Sequence, residues 1–167
     1  PLWSRGLGDV YKRQVSDWTL NVVCDDVMNL WIDGEEKEVA GQGQWNQLST
    51  LDIPMSTRSI AIQCKNTGGP YGIAASVQDA YGHDILVTDD TWSCSNTADS
   101  GWEGPDFEEG DNWEAASYYE HWNYVDHDSG LILFTFLLSF STVQSDIDVH
   151  LKLIFRGISE ISAMHSR

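Results

Sequence analysis

The sequence predicts an all-β protein built as an antiparallel β-sandwich. Three observations predict it. Apolar residues recur at every second position, turn residues interrupt the chain at short intervals, and no stretch of 15–128 sustains an amphipathic helix. In the first strand Trp18, Leu20, Val22 and Cys24 alternate with Thr19, Asn21 and Val23, so one face is apolar. Leu30-Trp31-Ile32 then runs into Asp33-Gly34, a hairpin signal because both turn positions tolerate positive φ. Ile60, Ile62 and Cys64 alternate with Ala61 and Gln63. Ile73, Ala75 and Val77 follow the same rule, and Tyr81-Gly82 turns the chain into Ile85-Leu86-Val87-Thr88. Turns are also expected at Gly41 to Gly43, Asn66 to Gly69 and Gly104-Pro105. Trp113 to Tyr119 is long enough for one helical turn, but Ala115-Ala116 suits a strand equally well.

Charge divides the 167 residues into three zones. Residues 1–14 carry Arg5, Lys12 and Arg13 against Asp9, a net of +2. Residues 129–167 carry Lys152, Arg156 and Arg167 against Asp146, Asp148 and Glu160, a net of 0. With a total of −17, residues 15–128 hold −17 − 2 − 0 = −19, together with seven of the eight Trp and all three Cys. A surface this acidic repels phosphate backbones and anionic lipid, so nucleic acid is excluded as a partner and membrane association is not expected. The Trp content is too high for a disordered acidic tail. The domain is therefore expected at 15–128, which is enough chain for one core.

The two ends read differently. Residues 1–14 have no apolar signal-peptide core, and Ser4 to Gln14 resembles a translated sequencing adapter. This segment is expected to lie outside the fold. Residues 129–167 open on the apolar run Gly130 to Val143, fourteen residues against the ~20 that cross a bilayer as a helix. The change of composition reads as read-through sequence outside the fold.

Four blocks carry a resemblance. Asp25-Asp26-Val27 followed by Leu30-Trp31-Ile32-Asp33-Gly34 resembles an "aDD…lyvDG" opening. Cys64-Lys65-Asn66-Thr67-Gly68-Gly69-Pro70-Tyr71-Gly72-Ile73 resembles "C-K-N-x-G-G-P-x-G-I", and Val87 to Ser95 resembles "v-T-D-x-s-W-k-C-S". Phe107 with Trp113-Glu114-Ala115-Ala116 matches a later "F…W-x-x-A" stretch. Together these are similar to galactose-binding-domain-like modules of invertebrate secreted proteins. The resemblance implies a jelly-roll sandwich, an extracellular setting with the native signal peptide outside this fragment, and a glycan or glycoprotein partner. The chain departs from the pattern after about Val125, which implies a missing closing strand. Within the two Cys-bearing blocks, a Cys64–Cys94 disulfide is expected. Cys24 is then either a buried thiol or a residue that has lost its partner.

Sugars offer C–H faces that stack on aromatic rings and hydroxyls that bond amides and carboxylates. Trp45, flanked by Gln44 and by Asn46 and Gln47, is the leading platform for such a ligand, with Tyr71 and Trp102 as further loop aromatics. The bland alternative for Trp45 is a rim residue folded over the sandwich edge. Trp18, Trp31, Trp92 and Trp113 are expected in the core. The acidic stretch Asp99 to Glu114 and the pair Asp25-Asp26 raise Ca²⁺ as a cofactor, with Asp25, Asp26, Asp106 and Asp111 as ligands. The alternative there is a solvated acidic face. No nucleophile elbow, zinc-protease motif, P-loop or dinucleotide fingerprint occurs, so no catalytic residue is assigned. The expected function is a noncatalytic, lectin-like carbohydrate-binding module, and the rival is an acidic matrix protein that holds Ca²⁺.

Overall fold

A computed structural model describes residues 17–39, 47–67, 72–116, 123–125, 132–134 and 147–154, the last three spans as backbone with the side chain of His150. Every regular element among the described residues is a strand, in chain order β1 (Trp18–Asp25), β2 (Val27–Ile32), β3 (Glu35–Lys37), β4 (Ser49–Ile53), β5 (Ser59–Asn66) and β6 (Gly72–Gln78). β7 (Asp84–Val87), β8 (Ser93–Ser95), β9 (Glu114–Ala115), β10 (Asn123–Val125), β11 (Ile132–Phe134) and β12 (Ile147–Ile154) follow. They form a smaller sheet of four strands, β4-β1-β6-β7, and a larger sheet of six, β3-β2-β5-β12-β8-β9. All pairings in both sheets are antiparallel. β10 and β11 pair with each other.

The period-2 pattern is what makes this a sandwich. Leu20, Val22 and Cys24 of β1 and Ile73, Ala75 and Val77 of β6 form one inner face. Met28, Leu30 and Ile32 of β2 and Ile60, Ile62 and Cys64 of β5 meet them from the other sheet. The Asp33-Gly34 hairpin forms as expected, with φ of 52° and 82°. The Asp33 carboxylate also accepts hydrogen bonds from the backbone N–H of Arg58 and Ser59 at 2.7 and 2.8 Å, tying the β2–β3 turn to the start of β5. Trp92 fills the space between the sheets where the chain passes from β7 to β8. It is completely buried, and its indole N–H donates to the Val87 carbonyl at 3.1 Å.

Two expectations are corrected. The disulfide joins Cys24 to Cys64, with Cα atoms 5.9 Å apart, and Cys94 is a free, buried thiol. Cys24 and Cys64 point inward from facing strands of opposite sheets. Cys94 lies on β8, separated from β5 by β12, and two strand spacings are about 9.6 Å, beyond disulfide reach. The second correction concerns the C-terminal zone. β12, from within 129–167, lies between β5 and β8 in the larger sheet, pairing Ile147 with Asn66 and His150 with Ser95. The larger sheet thus includes a strand from beyond residue 128.

Burial pushes the Cys94 thiol up to about 11, with the nearby Glu114 charge acting in the same direction, so it stays protonated and inert at neutral pH. Thiol titration should therefore find no reactive cysteine in the native chain and one per chain after denaturation without reductant. Peptide mapping that recovers Cys64 joined to Cys94 would contradict the structure. Reducing the Cys24–Cys64 bond, which closes a 40-residue separation, should lower stability by about 4 kcal/mol on the chain-entropy relation. Ending the chain at residue 128 removes β12 and should abolish cooperative unfolding, followed by circular dichroism on heating.

Candidate functional site

Strand directions gather the connections that cross between sheets. β1 ends at Asp25, opposite Gly72 at the start of β6. β4 begins at Ser49, opposite Val22, so the chain comes into β4 near this same end. The β1–β2 corner, the start of β4, the end of β5 and the start of β6 therefore all belong to one end of the sandwich. Gln47 is exposed there. Trp45, Asn46 and Tyr71 lie outside the described residues.

The described part of this end is an acid pair. Asp26 Oδ2 accepts from the Thr67 hydroxyl at 2.6 Å and from its backbone N–H at 2.9 Å, pinning the β1–β2 corner to the residue after β5. Burial pushes the Asp25 carboxyl up to about 7, and the hydrogen bond and like charge of Asp26 push it the same way. Asp26 moves below the usual carboxylate range, first through its hydrogen bond with Asp25 and then through Thr67. The pair therefore behaves as one proton-sharing unit.

The other expected metal ligands lie elsewhere. Asp106 is exposed and pairs with Arg58 at 2.5 Å, beside the start of β5, whereas Asp26 sits near its end, about 23 Å along the strand. Asp111 is exposed in the turn before Trp113. Among the described residues no three His, Cys, Asp or Glu side chains come together in a way that could hold a metal ion. Asp25, Asp26, Asp106 and Asp111 are thus not a single Ca²⁺ site.

Trp102 is also corrected as a loop platform. It is 5% exposed, because residues 96–113 fold back over the outer face of the larger sheet. Its ring meets Trp31 edge-on at 5.4 Å, Trp113 at 5.9 Å and the His150 imidazole at 4.8 Å. Phe107 packs edge-on to Trp113 at 5.6 Å. Ala61, also fully buried in this cluster, leaves the space on the sheet that these rings occupy. Trp18, Trp92 and Trp113 are buried as expected, and Trp31 is half-buried.

The outer face of the smaller sheet is different. Where Val23 and Ala74 lie on it, it is buried, and β11 runs beside β6. Toward the Trp18 end it is polar, with Asn21 and Ser76 buried and Thr50, Asp52 and Asp84 exposed. The Thr50 hydroxyl donates to Asn21 Oδ1 at 3.0 Å, Asn21 Nδ2 to Gln78 Oε1 at 3.3 Å, and Gln78 Nε2 to Asp84 Oδ1 at 2.9 Å. One side chain from each strand thus forms a continuous row. At its corner the β6–β7 turn is fixed by Asp79, whose Oδ1 accepts from the backbone N–H of Tyr81 at 2.8 Å and His83 at 2.9 Å. Asp79 Oδ2 lies 3.2 Å from His83 Nδ1. The His83 backbone bond is the main cause that lowers the Asp79 carboxyl below its usual range, so it stays ionised. Tyr81 at the tip is 86% exposed, the one large apolar side chain so exposed among the described residues. No known protein family, curated protein or solved structure matches the chain.

Sequence reading missed this row and Tyr81. The signal was present in Asn21, Thr50 and Gln78 at outward positions of strands whose alternate residues are apolar. It became a row only once the strand order was known.

The acid pair carries a pH prediction. In the unfolded chain Asp25 ionises near 3.8, and in the fold only near 7, so its contribution weakens folding as pH rises through that interval. Asp25→Asn should therefore raise stability at about pH 8 by about 1 kcal/mol, the full shift being discounted because the carboxyl is partly exposed. The gain should vanish toward pH 3.8. Thermal melts across pH check this; a lower melting temperature for the variant at about pH 8 would mean that the Asp25 charge is used.

Proposed function

We propose that the chain is a noncatalytic, extracellular glycan-binding β-sandwich. The observation that carries this reading is Tyr81, an aromatic ring 86% exposed on a hydrogen-bonded turn at the corner of a row of hydroxyl, amide and carboxylate side chains. An aromatic face stacks on the C–H side of a sugar ring, and amides and carboxylates bond the hydroxyls at its edge. Because Asp79 already holds the turn, binding orders little that was free, which keeps its entropic cost low. The Cys24–Cys64 disulfide supports an oxidising, extracellular setting. The loop reading built on Trp45, Asn46, Gln47 and Tyr71 is retained as a second contact region for the same ligand class. The Ca²⁺-holding matrix reading has no described cluster of ligands to favour it.

A glycan array of neutral, acidic and amino sugars probed with the full chain tests the proposal. Binding to at least one class is expected, and Tyr81→Ala should weaken it about tenfold with the melting temperature unchanged. Trp45→Ala should weaken binding as well if the loop end contributes, whereas a collapse of folding would make Trp45 a core residue. Silence across the whole array would refute the glycan reading.

A further inference from the structure

We draw no further inference here: the strongest candidate, the Asp25–Asp26 carboxyl pair at the β1–β2 corner, belongs to the site already described, and among the described residues nothing beside the pair points to a ligand.

Discussion

The structure depends on filling the gap between two sheets at the point where the chain passes from one to the other, and Trp92 fills it. The indole is buried, its N–H bonds the Val87 carbonyl, and its backbone N–H and C=O bond Asp89 and Ala116 at 3.1 and 2.8 Å. A residue near the end of β7 and one just past β9 are thereby held by the same side chain's backbone and ring. A large apolar group would leave its polar atoms unsatisfied in this position if any of these partners were lost, at about 1–3 kcal/mol each. The inward rows of both sheets can be close-packed because this space is occupied.

With the inner faces committed to the core, the outer faces decide what the molecule presents. The larger sheet carries Trp31 and Ala61 side by side, one large and one small, and the 96–113 segment closes over them with Trp102, Phe107 and Trp113. That covering is tied down by Asn112, whose amide donates to the Thr97 carbonyl at 2.8 Å, and by Ser93, whose hydroxyl donates to Glu109 at 2.7 Å. On the smaller sheet the outward Asn21, Val23, Ala74 and Ser76 are buried, whereas Thr50, Asp52 and Asp84 are exposed. Thr50, Asn21, Gln78 and Asp84 satisfy one another in a row across it. One sheet is sealed by aromatics, and the other carries a polar row that ends in the exposed Asp84.

Much of this was legible in the sequence. Alternation in Leu20-Val22-Cys24 and Ile60-Ile62-Cys64 reports which side of a strand is dry, and Asp33-Gly34 reports a tight turn, because both are local consequences of backbone geometry. What was not legible is which strands lie side by side. The pairing of Cys24 with Cys64 follows from two strands facing each other across the core, and the exclusion of Cys94 follows from β12 intervening. Neither distance is encoded in spacing. β12 itself was discounted because its surroundings differ in composition from the rest, yet its backbone pairing depends on partners on both sides. Trp102 follows a glycine in an acidic stretch and reads as a surface residue; only Ala61, far away in sequence, reveals the hollow it fills.

The position of β12 has a consequence for how the chain is made. A strand bounded by β5 and β8 is synthesised some eighty residues after β5. Until residues 147–154 have emerged, β5 has one open flank, and β8 and β9 have nothing to join. During translation the nascent chain thus carries an unpaired hydrophobic strand edge, the kind of surface on which chains stick to one another.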